Sequence, residues 1–382
     1  MSAAKEKKVY VIAGEVSGDM HGACLIKALC ENTAGVSFYG AGGPTMKSAG
    51  GERTAAINDW VEDAAVMGVW EVLKHYRWFK ERFDSMLEEI QKLKPEVLLL
   101  IDYPGFNLRF AYAVRELLPD IKIVYYISPQ VWAWNKRRIP KMVKTLDLMM
   151  CIFPFEKEIF ESAGLKTVFP GHPLVDELEE IREGVERDDR LMGLFPGSRE
   201  REVASLFPIM VETARRMHIN HPNLKFEAAA ASDKLRVQMQ EIIDEGKLAD
   251  SSIITLRTGN SQSLMQRAVC GVVASGTATL EAAALGMPYC LVYKLAWPTW
   301  VLGKLLVKIE FIGIVNILAG RKVVEELIQG EAEPCQIEEH LSPLIKSAEA
   351  RNELRTELLK TASMLGEPGS HARAAEEVAK LL

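Results

Sequence analysis

The 382-residue sequence lacks an apolar run long enough to cross a membrane, because a spanning helix needs about 18 apolar residues in a row. It also lacks a basic excess: 46 Lys and Arg stand against 52 Asp and Glu, and the net charge of −6 provides no electrostatic footprint for nucleic acid. Residues 1–8 are charged, so we expect no secretory signal. We therefore expect a soluble protein, or one attached only to a membrane surface.

Cysteine is scarce and scattered. The six cysteines form no Cys-x-x-Cys pair and lie mostly within apolar runs, which is typical of reduced core residues in a cytosolic protein. No His or Cys cluster has the spacing of metal ligands, and no Asp-x-Asp pair occurs. We therefore expect no metal ion and no cofactor. The charge of a leaving group would then have to be met by helix N-termini and by Arg199.

Two glycine- and hydroxyl-rich turns are present in the second half of the chain. Residues 195–199 (Phe-Pro-Gly-Ser-Arg) and 274–281 (Ala-Ser-Gly-Thr-Ala-Thr-Leu-Glu) each follow an apolar run and open a helix-like stretch. Neither turn has the Gly-Lys-Ser/Thr ending of a P-loop, which disfavours NTP hydrolysis, and neither has the Gly-x-Gly-x-x-Gly spacing of a dinucleotide site. Helix N-termini favour anions, and the Glu281 carboxylate, one turn along, can accept both ribose hydroxyls. Together the turns predict a nucleotide-diphosphate site; each turn alone is also ordinary capping chemistry.

The length and the apolar content of 48% suit two domains. Short β-branched or aromatic runs alternate with longer stretches of helical period, which predicts parallel sheets covered by helices. We predict strands at 9–13, 36–39, 97–101, 121–127, 148–152 and 167–169, then a charged linker at 179–190, then strands at 191–195, 225–229, 253–256, 269–274 and 289–292. The predicted fold is α/β, with Rossmann-like domains at 1–182 and 191–350 facing a cleft and C-terminal helices at 351–382 that pack outside the sheets.

Polar residues also follow the strands of the first half. Residues 14–19 (Gly-Glu-Val-Ser-Gly-Asp) place Ser17 and Asp19 either beside a substrate or as caps of the helix predicted at 20–29, with His21 next. Asp102 directly follows the strand at 97–101, and the Pro-Gly turn after it would leave its carboxylate at the ligand-facing edge of the sheet. We interpret Asp102 as functional; a capping aspartate is the alternative.

Residues 128–135 (Ser-Pro-Gln-Val-Trp-Ala-Trp-Asn) form another strand end. Aromatic faces stack on sugar rings, although a tryptophan pair is at least as often part of the core. Arg137, Lys141 and Lys144 follow at helical spacing. They could face anionic lipid or phosphate, a solvated helix face being the default interpretation.

A series of motifs spans nearly the whole chain: Gly14-Glu15-x-Ser17-Gly18-Asp19, Val66-Met67-Gly68, Ile101-Asp102-Tyr103-Pro104-Gly105-Phe106-Asn107, Ser128-Pro129-Gln130-Val131-Trp132-Ala133-Trp134, Phe153-Pro154-Phe155-Glu156, Gly171-His172-Pro173, Leu194-Phe195-Pro196-Gly197-Ser198-Arg199, the turn at 274–281 and Asn316-Ile317-Leu318-Ala319-Gly320-Arg321. In this order they resemble the lipid-A-disaccharide synthases. Val315 precedes Asn316 where many members of that family have proline.

The resemblance implies an inverting glycosyltransferase of lipid A biosynthesis in Gram-negative bacteria, with the two-domain B-type fold. It implies transfer of 2,3-diacylglucosamine from its UDP derivative to the 6-hydroxyl of 2,3-diacylglucosamine 1-phosphate, which yields a β-1,6 disaccharide and UDP. Asp102 and Arg199 are the implied catalytic residues. The residues assigned to UDP are Ser17, Ser198, Thr277, Thr279, Glu281, Asn316 and Arg321, and those assigned to the acceptor are His21, Asn107, Gln130 and Trp132.

The chemistry of inversion agrees with a single carboxylate at the reacting centre. An inverting transfer needs one base opposite the leaving group, whereas double displacement needs a second, nucleophilic carboxylate close by. Asp102 at a strand end of one domain can supply that base, with the diphosphate held in the other domain.

The segment at 66–83 is richer in apolar residues than core packing requires. Val69, Val72, Leu73, Tyr76, Phe79 and Phe83 already form one helical stripe, which leaves Met67, Trp70 and Trp78 interleaved with basic residues. Such a composition is typical of an interfacial helix that meets anionic lipid. We predict peripheral attachment to the inner face of the inner membrane through these three residues, with 295–306 as the next candidate. A core or homodimer interface is the alternative.

Two other functions remain open from the residues alone. A UDP-sugar epimerase of the same fold would need no lipid surface, and the apolar excess at 66–83 and 295–306 disfavours it. A non-catalytic nucleotide-sugar sensor is the third candidate, because fold alone does not specify catalysis. The presence of both Asp102 and Arg199 disfavours the sensor.

Overall fold

The computed structural model describes residues 6–61, 76–179, 181, 184–245, 253–295, 300 and 310–382. The chain divides into two compact units, the first formed by Met1–Asp176 with Gly366–Leu382 and the second by Glu177–Leu365. Each unit contains one sheet, and the pairing within both sheets is parallel. The α/β class predicted from the alternating pattern is confirmed.

Strands and helices alternate through the first unit. In chain order they are β1 (Lys7–Ala13), α1 (Val16–Asn32), β2 (Val36–Gly42), α2 (Pro44–Ala49), β3 (Ala56–Asp59), α3 (Tyr76–Leu93), β4 (Val97–Ile101), α4 (Pro104–Leu117), β5 (Lys122–Tyr126), α5 (Val131–Trp134), α6 (Ile139–Thr145), β6 (Leu148–Met150), α7 (Pro154–Ser162), β7 (Thr167–Val168) and α8 (Pro173–Glu179). The sheet order is β3-β2-β1-β4-β5-β6-β7. Every residue of β4 is buried, as expected for a central parallel strand covered on both faces.

The second unit repeats the same rhythm. Its elements are β8 (Asp188–Phe195), α9 (Glu200–Asn220), β9 (Lys225–Ala230), α10 (Asp233–Glu245), β10 (Ile254–Thr258), α11 (Ser261–Arg267), β11 (Ala268–Ala274), α12 (Thr277–Ala284), β12 (Tyr289–Tyr293), α13 (Ile314–Ala319), β13 (Glu325–Ile328), α14 (Pro334–Lys346) and α15 (Ala348–Ser363). The sheet order is β10-β9-β8-β11-β12-β13. Two strands, β3 and β13, were not predicted from the sequence. Both lie at sheet edges, and their polar sequences lack the apolar run of a central strand.

The C-terminal stretch is divided between the units. Helix α15 packs on α12 in the second unit, whereas the last helix, α16 (Ser370–Ala379), packs on α1 in the first. Asp176 holds the start of α16, because its carboxylate accepts hydrogen bonds from the Ser370 amide at 3.1 Å, the Ser370 hydroxyl at 2.5 Å and the Gly369 amide. The stretch at 351–382 that the sequence presents as one helical tail therefore separates at Gly366.

The strand orders create one switch point in each sheet. In the first sheet β1 lies between β2 and β4, and in the second β8 lies between β9 and β11, so the chain leaves the first strand in opposite directions on its two sides. Ligands of open parallel sheets bind outside the carboxyl ends of the strands at such points. Gly14 and Asp102 follow β1 and β4, and Gly197 and Gly276 follow β8 and β11.

Candidate active site

The first glycine turn of the second unit is closed by a glutamate. The turn follows β8, and Gly197 takes a left-handed φ of 105° there. Glu202, in the first turn of α9, accepts hydrogen bonds from the amides of Ser198 at 3.1 Å and Arg199 at 3.3 Å, and from the Arg199 guanidinium at 3.2 Å. These amides, which the sequence indicated as phosphate donors, are therefore already bonded. The Ser198 hydroxyl and the largely exposed guanidinium are what this turn offers to a ligand.

The second glycine turn has unbonded amides. It follows β11, and Gly276 has a φ of 148° with open space where a side chain would point. Among the described residues, the amides of Thr277 and Ala278 have no hydrogen-bond acceptor. Because both lie at the N-terminus of α12, they point where the helix dipole favours an anion. Of the two turns, this one has the backbone donors better placed to bind an anion.

Both turns line one pocket of about 350 Å³ in the second unit. Four residues predicted for the donor meet there: Ser198, Arg199, Thr277 and Glu281. Glu281 lies one turn along α12, and burial, together with the charge of Glu177, raises the pKa of its carboxyl. No described residue donates a hydrogen bond to this carboxylate, so its oxygens are available to ligand hydroxyls. The pocket therefore combines an anion site with a hydroxyl acceptor.

The other four residues assigned to UDP lie outside this lining: Ser17 in the first unit, and Thr279, Asn316 and Arg321 in the second. Thr279 is buried and its hydroxyl donates to the Gly276 carbonyl at 2.7 Å, so it shapes the turn from behind. Arg321 forms an ion pair with Glu357 of α15. Asn316 is fully buried on α13 and bonds only to protein: its Nδ2 donates to Val324 O and Glu326, and its Oδ1 accepts from two backbone amides. Asn316 therefore fastens α13 to β13 instead of offering polar atoms to a ligand.

The position before Asn316 is compatible with valine. Val315 is fully buried in the first turn of α13, which begins at Ile314. Proline is tolerated in a first helical turn because the amide there has no intrahelical acceptor, and an apolar valine fills the same place. Valine and proline are therefore both compatible with this position.

In the first unit, Asp102 occupies a strained turn. Asp102 and Tyr103 follow β4 with φ values of 46° and 49°, a left-handed region that costs about 1–3 kcal/mol per non-glycine residue. The Asp102 carbonyl accepts hydrogen bonds from the Asn107 side-chain Nδ2 at 2.8 Å and from the Tyr125 hydroxyl at 2.6 Å. The Asp102 backbone amide donates to Tyr126 O at 2.9 Å. These bonds hold the backbone of the turn, and the carboxylate itself interacts with the Tyr103 amide.

The environment of Asp102 suits a base at neutral pH. Burial raises the pKa of its carboxyl to about 6, and the negative charge of Glu15 adds to the effect. Such a group is still mostly ionised at pH 7, yet it binds a proton more tightly than an exposed aspartate does. Glu15 is exposed and follows β1, which is the neighbour of the strand β4 that Asp102 follows.

Neither Ser17 nor Asp19 caps the helix after β1, so the capping alternative for this turn is wrong. Helix α1 begins at Val16, so Ser17 lies exposed in its first turn instead of capping it. Asp19 is buried and caps α2, accepting from the amides of Gly43, Thr45 and Met46 at 2.8–3.0 Å. His21 stacks on His371 of α16 with ring centroids 5.7 Å apart. Burial, with a contribution from His371, lowers the pKa of His21 to about 4, so it is neutral at pH 7.

The remaining acceptor residues have mixed environments. Asn107 is buried, and its amide donates to carbonyls of the Asp102 turn, so it supports that turn from within. Trp132 is buried and its Nε1 donates to Glu156 at 2.8 Å. Gln130 is exposed at the start of α5. Of these three, Gln130 is the side chain open to a ligand.

Met67 and Trp70, two of the three predicted docking residues, lie outside the described residues. The third, Trp78, is partly buried in the first-unit core and stacks on Trp60 with ring centroids 6.2 Å apart. Among the described residues no helix has both the length and the apolar character that a membrane crossing requires. In the same ranges no group of His, Cys, Asp or Glu side chains is arranged to hold a metal ion.

Comparison with known proteins identifies the family. A model of the lipid-A-disaccharide synthetase family matches residues 9–379. The lipid-A-disaccharide synthase of Trichlorobacter lovleyi is 37% identical, with 98% of this chain and 97% of the relative covered. That of Syntrophus aciditrophicus is 36% identical over 97% of this chain and 96% of the relative. The chain belongs to the lipid-A-disaccharide synthetase family. The resemblance seen in the motifs is confirmed, and with it the assignment as a glycosyltransferase of lipid A biosynthesis.

Solved structures agree with the predicted B-type glycosyltransferase fold. The glycotransferase of kitacinnamycin has a TM-score of 0.61 at 12% identity, with 99% of this chain and 100% of that chain covered. UDP-GlcNAc 2-epimerase from Neisseria meningitidis, solved with UDP-GlcNAc, has a TM-score of 0.61 at 13% identity, with 98% and 100% covered. At these identities the likeness concerns the fold alone. It therefore gives no support to the epimerase alternative as a function of this member of the lipid-A-disaccharide synthetase family.

Two site residues were missed by the sequence reasoning. Glu202 lies three residues after Arg199, which is the spacing of a capping box and could have predicted its bond to that turn. Glu15 was noted only as part of its turn. Its effect on Asp102 depends on β1 and β4 being neighbours, which no local pattern indicates.

Proposed function

We propose that the chain transfers 2,3-diacylglucosamine from its UDP derivative to the 6-hydroxyl of 2,3-diacylglucosamine 1-phosphate with inversion. Family membership supports the reaction class. The observation that carries the site assignment is the pocket where Ser198, Arg199, Thr277 and Glu281 meet. The second unit would then hold UDP, and the first unit would supply the base.

In this proposal the diphosphate lies at the N-terminus of α12. The amides of Thr277 and Ala278 would donate to phosphate oxygens, and the dipole of α12 would stabilise the charge that develops as the bond to the sugar breaks. Arg199 would add a positive charge, since its side chain is 82% exposed and, among the described residues, has Glu202 as its one hydrogen-bond partner. The Glu281 carboxylate would accept the ribose hydroxyls.

Asp102 would act as the general base. Its carboxylate removes the proton from the acceptor 6-hydroxyl as that oxygen attacks the anomeric carbon of the donor. The bond from the anomeric carbon to the diphosphate oxygen breaks on the opposite face, and its electron pair leaves with UDP. One carboxylate is sufficient for this single displacement. Gln130 and the neutral His21 would bind acceptor hydroxyls, supported by Asn107 and Trp132 behind them.

The reaction is tested by UDP release from the two lipid substrates. A synthase releases UDP only when donor and acceptor are both present, an epimerase converts the UDP-sugar without an acceptor, and a sensor does neither. Release that needs both substrates supports the proposal. Conversion of the donor without an acceptor would contradict it.

The donor site is tested by calorimetry of UDP binding. Glu281→Ala and Arg199→Ala should each weaken binding by roughly 1.5–3 kcal/mol, the scale of a hydrogen bond to a charged group. Arg201→Ala is the matched control, since Arg201 is exposed two residues further along the chain and does not line the pocket. Unchanged affinity in both test variants would remove UDP from this pocket.

We also propose peripheral attachment to the cytoplasmic face of the inner membrane, because diacylated substrates must be collected from a bilayer. Met67→Ser with Trp70→Ser should lower co-sedimentation with anionic vesicles and leave UDP affinity intact. Trp78 is retained, since its ring packs on Trp60. Replacing the exposed Ile219 and Val237 of the second unit with serine is the control. Equal vesicle binding by parent and test variant would exclude Met67 and Trp70 as docking residues.

A further inference from the structure

Residues 127–135 leave the carboxyl end of β5 beside the Asp102 turn. Strands β4 and β5 are paired, and the Asp102 amide donates to Tyr126 O at 2.9 Å. Ile127 has a φ of 64°, which is unfavourable for a β-branched residue, and its amide donates to Met150 O at 3.0 Å. The backbone here is therefore bent sharply and held by its neighbours.

Buried side chains flank an exposed one in this segment. Ser128 and Trp132 are buried, with 4% and 6% of their surface exposed. Gln130 is exposed, and Trp134 is 51% exposed. The segment thus presents the Gln130 amide to solvent and the Trp134 ring in part, because the Arg138 guanidinium lies over that ring 5.2 Å from its centroid. The two buried side chains fix the segment to the protein.

A single carboxylate anchors both buried side chains. Glu156, in the first turn of α7, is fully buried. It accepts hydrogen bonds from the Ser128 hydroxyl at 2.6 Å, the Trp132 Nε1 at 2.8 Å and the Phe153 amide at 3.2 Å. Ser128 lies on one side of Gln130 and Trp132 on the other, so Glu156 determines where the stretch between them lies.

Capping α7 does not by itself explain this burial. A capping-box glutamate needs only its bond to the N-cap amide, here that of Phe153. Glu156 is desolvated enough that burial raises the pKa of its carboxyl to about 6, a cost that its donors offset only in part. Trp132 also packs edge-on against Phe155 with centroids 4.9 Å apart, so the ring and the carboxylate act on the same loop.

We propose that Glu156 is a positioning residue for the acceptor: by bonding Ser128 and Trp132 it holds Gln130, on the loop that leaves β5 next to the Asp102 turn, in the conformation that binds the acceptor sugar. This inference rests on the proposed assignment of the acceptor to the first unit. Glu156 touches no reacting atom and acts through the loop.

The test measures the KM of donor and acceptor separately in Glu156→Gln, Ser128→Ala and Trp132→Phe. The glutamine is close in shape but cannot accept from all three donors, and the phenylalanine keeps a ring without the N–H. The KM of the acceptor should rise roughly 10- to 100-fold in Glu156→Gln, the range expected when bonds to a charged group are lost. The KM of the donor and the UDP affinity should stay unchanged. In the double variant Glu156→Gln with Trp132→Phe, the acceptor KM should rise by less than the product of the two single effects. Both substitutions remove the same Trp132–Glu156 hydrogen bond.

Asp147→Asn is the matched control for a purely structural effect. Asp147 is a partly buried carboxylate of the same unit that bonds Arg115 and the Ile123 amide. It precedes β6 and therefore lies at the amino ends of the strands, away from the Asp102 turn at their carboxyl ends. This variant should lower Tm and leave the acceptor KM unchanged. A Glu156→Gln variant with the same pattern would overturn the proposal, and so would a rise in the donor KM alone. If Glu156→Gln does not fold, the milder Ser128→Ala and Trp132→Phe decide. Failure of the proposed base would show separately, as normal turnover in Asp102→Asn.

Discussion

The fall in kcat/KM at low pH provides the sharpest test of Asp102 as the base. Burial and the charge of Glu15 raise the pKa of its carboxyl to about 6. About nine-tenths of the groups are then ionised at pH 7 and about one-tenth at pH 5. Because the base acts only when ionised, kcat/KM should fall about tenfold from pH 7 to pH 5, with half of the activity remaining near pH 6.

Glu15→Gln should move this limb without abolishing activity. Removing the neighbouring negative charge lowers the pKa of Asp102, so the acid limb should shift to lower pH. Glu116→Gln is the control, since Glu116 is exposed and is not among the charges that shift Asp102. The assay is UDP release under kcat/KM conditions across pH 5–8. An acid limb that stays in place in Glu15→Gln would refute the electrostatic reasoning.

Asp102→Asn should lower turnover by about 10²–10⁴-fold, because it keeps the shape and removes the basicity. Its Tm at pH 7 should not fall. The folded state raises the pKa of Asp102 above its ordinary value, so the ionised carboxylate destabilises the fold at neutral pH, and a neutral amide relieves that cost. UDP affinity, measured by calorimetry, should be unchanged. Near-normal turnover in a folded Asp102→Asn variant would refute the assignment of the base.

Three further predictions concern the glycines after β1, Asn316 and the need for a metal ion. Gly14→Ala should lower kcat, because its methyl group would lie 2.3 Å from the Tyr103 ring and displace the Asp102 turn, whereas Gly18→Ala, whose nearest contact is 3.5 Å, should be tolerated in the same assay. Asn316→Ala should lower Tm by leaving buried groups around α13 unpaired; an intact Tm with weakened UDP binding would instead indicate direct contact. Turnover should survive excess chelator, since helix N-termini can stabilise the leaving diphosphate, and a loss restored by magnesium or manganese would contradict this.

The sequence by itself determined the central strands and the chemistry of the turns after them. Five apolar residues at 97–101 form β4 with the predicted bounds, because a strand buried on both faces must be apolar throughout. Gly197 and Gly276 adopt positive φ values in turns that lead into helices. Motifs of this kind, in fixed order along the chain, were also sufficient to identify the family.

The tertiary structure alone decided which turns meet. Strand order places β1 beside β4 and β8 beside β11, and those pairings join residues far apart in the chain, so no local periodicity reveals them. The same cause explains the edge strands β3 and β13, the return of α16 to the first unit and the partial burial of Trp78. It also explains why Asn316 supports the fold and why Glu156 bonds to the loop after β5. A side chain's role depends on which groups pack around it, and packing is set by contacts between distant parts of the chain.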